Sequence, residues 1–273
     1  MPELPEVETV RRALNFHLSN ARVAKVGGRS IGMRRFLDVD RLAELLPMRQ
    51  FVSARRRGKF LLLDFAPPGT LLIHLGMSGR LQIGSPSRPR LAHTHLVLDF
   101  EDGRELRFAD PRRFGLADWL EAGEEAHDSS LIALGLEPLD THLPVVLPPL
   151  FRARRSCIKT LLMDQRLVVG VGNIYAAEAL WRAGIRPTRP GNRTSVGRLR
   201  NLATKVREVL EEAISEGGTT LRDYAAPDDE LGYFAARLQV YGRQGQPCTR
   251  CGSELRAEVI GGRTTAWCRR CQR

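Results

Sequence analysis

Four cysteines close to the end of the chain, arranged as Cys248-x2-Cys251 and Cys268-x2-Cys271 with sixteen residues between the pairs, constrain the fold more than any other feature. Each Cys-x-x-Cys presents two sulfurs to one ion, and the segment between the pairs is long enough for a single hairpin. The spacing predicts a zinc ribbon in which Cys248, Cys251, Cys268 and Cys271 hold one structural Zn2+. A segment this short buries too little apolar surface to fold unaided, so metal binding supplies its folding free energy. With four thiolates on the ion no coordination position stays open for substrate. Two disulfides are disfavoured, because the N-terminus lacks the basic, apolar and small-residue order of a secretory signal. An iron–sulfur cluster uses other spacings. The fifth cysteine, Cys157, reads as a small buried hydrophobe.

The rest of the 273 residues suffices for two domains with ordinary cores. Hydrophobic residues at 42% and charged residues at 27% exclude a disordered chain, and no apolar run reaches membrane-spanning length. An intracellular, cytoplasmic protein is expected. A net charge of +11 and a pI near 10.2 point to a polyanionic partner, with nucleic acid first. The 42 cations comprise 38 Arg and four Lys, at Lys25, Lys59, Lys159 and Lys205. GC-rich codon usage explains the bias; a retained Lys also marks places that need a compact ammonium.

Punctuation by Gly, Pro and hydrophobic period divides the chain into three. The first section, 1–130, opens on a helix from the first prolines to about His17, in which Val7, Val10 and Leu14 recur at helical spacing. Pro5 suits its first position, and Glu6 and Glu8 suit the positive end of its dipole. Strand-like runs at 60–65 and 70–75 flank a Pro67-Pro68-Gly69 turn, and those at 95–100 and 105–108 flank Glu101-Asp-Gly-Arg. Antiparallel hairpins of this kind build a sandwich or a barrel. The second section, 131–231, is helical, with helices expected at 158–165, 173–183 and 196–215. A loop at 217–233 has the length of a recognition loop. The third section, 232–273, carries eight Arg against two Glu and the four cysteines.

The opening Met1-Pro-Glu-Leu-Pro-Glu-Val-Glu is a capped helix start, and it is also more than that if Met1 is removed. A terminal amine has a reference pKa of about 7.7–8.0 against about 10.4 for lysine, so far more of it is free base at neutral pH. A prolyl nitrogen attacking a sugar C1′ yields an iminium, which drives elimination. Gly170-Val-Gly-Asn173 reads as a glycine turn leading to an Asn N-cap, a helix start open to an anion.

Six motifs and the ribbon together resemble the formamidopyrimidine-DNA glycosylase family, the bacterial 8-oxoguanine DNA glycosylases with abasic-site lyase activity. The motifs are Pro2-Glu-Leu-Pro-Glu-Val-Glu-Thr, Arg57-Gly-Lys-Phe, His74-Leu-Gly-Met-Ser-Gly-Arg, Asp110-Pro-Arg-Arg-Phe-Gly, Leu162-Met-Asp-Gln through Val171-Gly-Asn-Ile-Tyr-Ala, and Gly217-Gly-Thr-Thr-Leu. The related endonuclease VIII-like enzymes, which favour oxidised pyrimidines, typically have Gly where this chain has Leu4, so the match is to the purine branch. Phe60 replaces a frequent Tyr.

The resemblance implies an α+β multidomain fold: an N-terminal helix with a β-sandwich, then a helix–two-turn–helix domain carrying the zinc ribbon. It implies a monomer acting on double-stranded DNA, bound across a cleft between the domains. By the resemblance Pro2 is the nucleophile, Glu3 the proton shuttle on the sugar ring oxygen, and Lys59 the essential lysine at the lesion. Met77 and Phe114, which without it read as core residues, become wedges filling the void left by the everted nucleotide, and Arg112 bonds the orphaned cytosine. Arg113, Lys159, Asn173 and Arg263 contact DNA. Glu6 is a supporting residue or a plain first-turn acid, and Asp164 shapes its junction or caps a helix. The loop 217–233 closes over the lesion. Two alternatives stay open: the endonuclease VIII-like specificity, and a zinc-ribbon DNA-binding protein without catalysis.

Overall fold

The computed structural model describes residues 2–219 and 233–273. These fall into two compact units, one of 2–132 with 217–219, the other of 133–216 with 233–273.

The first unit opens on α1 (Leu4–His17), whose Val7, Val10 and Leu14 are fully buried, as the helical spacing predicts. Pro5 is the second helical residue, and Glu3 caps the start. Next come β1 (Val23–Gly28), the short pair β2 (Ile31–Gly32) and β3 (Phe36–Leu37), and α2 (Val39–Leu45). The Asp38 side chain caps α2 by accepting from Arg41 N–H at 3.0 Å. Seven strands follow: β4 (Gln50–Arg57), β5 (Phe60–Ala66), β6 (Gly69–His74), β7 (Arg80–Gly84), β8 (Thr94–Phe100), β9 (Glu105–Ala109) and β10 (Leu116–Glu121). They form two antiparallel sheets, ordered β1-β8-β9-β7 and β10-β6-β5-β4, which decides for a sandwich over a barrel. Both expected hairpins are present, β5 with β6 and β8 with β9. One apolar cluster draws on both sheets, α1 and α2, including Leu14, Leu63, Leu98 and Trp119. The unit runs through α3 (Ser129–Ile132).

The second unit is helical until its ribbon: α4 (Leu143–Arg152), α5 (Ile158–Met163), α6 (Asn173–Arg182) and α7 (Val196–Ser215). The sequence does not announce α4, because Pro148 and Pro149 lie inside it. Two expectations need correction. First, α5 ends two residues short of Gln165, because Gln165 leaves the helix to bond the next turn: its Nε2 donates to Met163 O and Val171 O, both at 2.9 Å, and its Oε1 accepts from Gly170 N–H at 2.8 Å. Second, the N-cap of α6 is Gly172, in extended backbone, and Asn173 is the first helical residue. Cys157, expected to be buried, is half-buried at the N-cap of α5, with its sulfur 3.0 Å from Thr160 Oγ1. The ribbon hairpin pairs β11 (Arg256–Ile260) with β12 (Arg263–Trp267) through a Gly261-Gly262 turn with both residues at positive φ, a conformation glycine adopts without strain.

Candidate active site

At the head of α1, Pro2 and Glu3 are buried, and Glu3 is only 2% exposed. Glu6 fixes this terminus. Its Oε2 accepts the Glu3 N–H at 2.9 Å, while its Oε1 accepts the N–H and hydroxyl of Thr219 at 2.9 and 3.0 Å. A carboxylate with both oxygens engaged holds Glu3 at one end and the Gly217-Gly218-Thr219 motif at the other. Gly218 sits at φ +83°, and a Cβ there would lie 2.9 Å from Glu6 Oε1, so only glycine lets the motif approach. Glu6 is thus a first-turn acid that completes the capping box of α1 and also joins Glu3 to Thr219.

Two residues further along α1, Glu8 anchors the helix to the sandwich. Its oxygens accept from Arg11 (2.8 and 2.9 Å), Arg12 (3.0 Å) and Arg56 (3.2 Å). Burial pushes this carboxyl up, but the guanidiniums of Arg11, Arg12 and Arg56 outweigh it and hold Glu8 below the usual carboxylate range. Arg56 also donates to Gly58 O at 3.0 Å, fixing the β4–β5 turn that carries Lys59. Lys59 is buried. Beside it, at the end of β6, the His74 ring lies 4.7 Å from Phe60, its cross-strand partner, and His74 Nδ1 accepts the Gly76 N–H at 2.9 Å. Burial, then the charges of Arg34 and Lys59, hold His74 down to about 3, so it is a neutral imidazole with its proton on Nε2. Sequence reasoning gave His74 no role, although it opens a quoted motif; its pairing with Phe60 is set by register, which single-sequence reading does not reach.

The expected wedge residues come together. Met77, half-buried, and Phe114, 48% exposed, line one cavity of about 490 Å³ with Met33, Arg34, His74 and Arg113. Asp110, fully buried, organises it: its side chain accepts from Ser78 Oγ (2.6 Å), Arg112 N–H (3.3 Å) and Gly115 N–H (2.7 Å). One carboxylate thus ties the loop of Met77 to the loop of Phe114. A Cβ at Gly76 would strike the Phe114 backbone at 2.5 Å, so the two loops pack as close as glycine allows. Arg112 stacks its guanidinium 4.8 Å from the Phe114 ring centre, which leaves its N–H edge available to a base. Arg113 is exposed, at φ +58°.

In the second unit the remaining site residues converge on β12. Asn173 Nδ2 donates to Thr264 O at 3.1 Å, and its Oδ1 is buried without a partner. Lys159 is fully buried and donates to Thr265 Oγ1, which in turn donates to Arg263 O at 3.2 Å. The Lys159 ammonium is thus committed within the fold and holds the strand from which exposed Arg263 projects. Asp164 ends α5 and accepts from Arg166 N–H, Nε and Nη2, all at 3.0 Å, so it caps a turn and not a helix start. Residues 220–232 of the expected recognition loop lie outside the described residues.

The four ribbon sulfurs lie within 4.8 Å of one another, and those of Cys251 and Cys268 are 3.5 Å apart. A tetrahedral ion with Zn–S of about 2.3 Å needs sulfurs about 3.8 Å apart, so the set fits Zn2+. Burial, then the neighbouring sulfurs, push the Cys271 thiol up to about 12, whereas hydrogen bonds from Ser253 hold Cys251 down to about 6.

Comparison with known proteins agrees with this geometry along the whole chain. Residues 1–117 match the formamidopyrimidine-DNA glycosylase N-terminal domain, residues 134–225 the H2TH domain of the same enzymes, and residues 245–273 the zinc finger found in FPG and IleRS. The chain is 48% identical to the formamidopyrimidine-DNA glycosylase of Xanthomonas axonopodis pv. citri and 49% identical to that of Stenotrophomonas maltophilia, with both chains covered completely in each case. Among solved structures it resembles wild-type Lactococcus lactis Fpg in complex with DNA containing N7-benzyl-Fapy-dG, with a TM-score of 0.90, 31% identity and full coverage of both chains. It also resembles MutM (Fpg) from Thermus thermophilus, with a TM-score of 0.86, 38% identity, and coverage of 99% of this chain and 98% of the other. The chain belongs to the formamidopyrimidine-DNA glycosylase family.

Proposed function

We infer that the chain excises oxidised purines from double-stranded DNA and then cleaves the abasic strand, using the nitrogen of Pro2 as nucleophile once Met1 is removed. The observation that carries this is the buried Pro2-Glu3 pair, held at the head of α1 by the Glu6 carboxylate.

The Pro2 nitrogen attacks C1′ of the everted nucleotide and the bond from C1′ to the base breaks. Glu3 gives a proton to the sugar ring oxygen, the ring opens, and the electron pair on nitrogen closes an iminium. Loss of a proton from C2′ expels the 3′ phosphate, and a second elimination expels the 5′ phosphate. Lys59 offers a phosphate beside the lesion a compact cation, and neutral His74 offers it an Nε2–H donor. Met77 and Phe114 occupy the void in the duplex, with Arg112 on the unpaired cytosine. In the second unit Asn173 and Arg263 hold the backbone, and Lys159 acts through β12 as a positioning residue. The zinc ion folds the ribbon and takes no part in the chemistry. Leu4, at the position where the endonuclease VIII-like enzymes typically have Gly, favours the purine branch over that one. We assign the domains as 1–130, 131–231 and 232–273, the molecule as a monomer, and its location as the bacterial cytoplasm; no helix among the described residues is long and apolar enough to cross a membrane.

Parallel excision assays on 8-oxoguanine:cytosine and thymine-glycol duplexes test the assignment. Faster release of 8-oxoguanine supports it, and preferential release of thymine glycol transfers the chain to the pyrimidine specificity.

A further inference from the structure

Between Glu178 and Glu208 the chain has eight basic residues and no acidic one. Part of this run folds into a depression of about 290 Å³ lined by Arg186, Thr188, Arg189, Arg193 and Arg273. Other cations of the same segment are neutralised: Arg182 pairs with Glu212 and Lys205 with Glu208, both at 2.7 Å. None of the four arginines of the depression has a carboxylate partner among the described residues. Arg189 Nη2 donates to Arg193 O at 3.0 Å, while its Nε is buried with no acceptor. Arg186 stacks on Trp267 at 4.9 Å, which fixes the guanidinium and leaves its N–H edge open. Arg198, beside them, donates to Gly184 O at 2.8 Å and Arg273 O at 2.6 Å. If Arg273 bears a terminal carboxylate, that group offsets one of these five positive charges and leaves four.

Like charges gathered around one small depression repel each other, and the fold keeps them together without a side-chain carboxylate among the described residues to pair them. We propose that this depression is a phosphate-binding site, with Arg186, Arg189 and Arg193 supplying forked donors and Thr188 a hydroxyl. Planar guanidiniums in this number suit the tetrahedral oxygens of phosphate better than a single carboxylate. The site shares no residue with the catalytic terminus, the wedge or the zinc ligands. Trp267, on which Arg186 stacks, ends β12, whereas Arg263 begins it. Four residues of strand span about 14 Å. A backbone phosphate bound here would therefore lie within one helical turn of duplex, about 34 Å, of one bound at Arg263. Free inorganic phosphate or pyrophosphate offers the same chemistry.

The experiment uses the zinc-loaded full chain, the double variant Arg186→Ala/Arg193→Ala, and the milder Arg193→Gln should the double variant lose zinc or melt early. Thermal shift in phosphate and pyrophosphate is compared with chloride at equal ionic strength. Affinity for an undamaged duplex is measured across salt concentrations by fluorescence anisotropy. If the DNA backbone occupies the site, the variants lower the slope of log affinity against log salt by about 1 per lost contact. A stabilisation by phosphate or pyrophosphate that the variants lose, with an unchanged slope, assigns the site to the free anion. No anion-specific stabilisation of the parent together with parental slopes in the variants overturns the proposal. Single-turnover excision by the parent chain is read alongside, so that failure of the enzymatic assignment is seen separately.

Discussion

The Glu6 carboxylate bridges Glu3 and Thr219, accepting the Glu3 N–H on one oxygen at 2.9 Å and the Thr219 N–H on the other at 2.9 Å. Two segments more than two hundred residues apart in sequence thus share one buried charge. Glu6→Gln keeps the shape but offers one acceptor oxygen in place of two, so one of the bonded groups loses its partner. Hydrogen bonds to a charged group are worth about 1.5–3 kcal/mol, or roughly 10- to 150-fold in rate if the loss falls on the transition state. We expect Schiff-base formation in single turnover to slow by that order, with binding to undamaged duplex unchanged. Gly218→Ala, which puts a Cβ against the same carboxylate, should slow it as well; parental rates in both variants would remove Glu6 from the site.

Arg112 should decide which base is tolerated opposite the lesion. Arg112→Ala is expected to lose discrimination between cytosine and adenine opposite 8-oxoguanine, and unchanged preference would strip it of that role. Asp110→Ala frees Ser78, Arg112 and Gly115 together. It should therefore impair both wedge loops at once and cost more activity than Arg112→Ala.

His74 should make the fold sensitive to acid. Its pKa is about 3 in the folded chain and about 6.5 in an unfolded one. Between these values the unfolded chain binds the extra proton, so stability is full above pH 6.5 and falls as the pH drops towards 3, by up to about 1.4 kcal/mol per pH unit. Urea unfolding of His74→Gln against the parent, repeated from pH 7 to pH 4, should show the two stabilities converging towards low pH. Parallel curves would mean that His74 is not held neutral.

Removal of zinc should release β12, and with it the bonds of Asn173 to Thr264 and of Lys159 to Thr265. DNA binding is expected to disappear under chelation while the sandwich still melts cooperatively. A chain that keeps its affinity without metal would show that the ribbon contributes nothing to binding.

Much of this molecule is written locally in its sequence. The period of Val7, Val10 and Leu14 predicts α1, the turn at Pro67-Pro68-Gly69 predicts a hairpin, and the cysteine spacing predicts the ribbon. What local pattern misses is set by tertiary contact. Prolines inside α4 disguise a helix whose apolar face packs against α7. Gln165 reads as helical until its side chain is seen bonding the following turn. Motifs identify Lys59, Met77 and Phe114, but the residues that place them, Glu8 through Arg56 and Asp110 through two loops, act across sequence distance. Lys159 lies in a motif that suggests a contact with DNA, and the tertiary fold adds what the motif does not carry, its burial and its bond to Thr265.

The central claim is that Pro2, freed of Met1, forms the covalent bond to the sugar. Borohydride reduction of the chain with an 8-oxoguanine:cytosine duplex tests it, with intact mass confirming that Met1 is absent. A covalent protein–DNA adduct attached at Pro2, absent in Pro2→Gly, is the predicted result. A processed chain that excises the base yet yields no adduct, or one attached at a lysine, would contradict it.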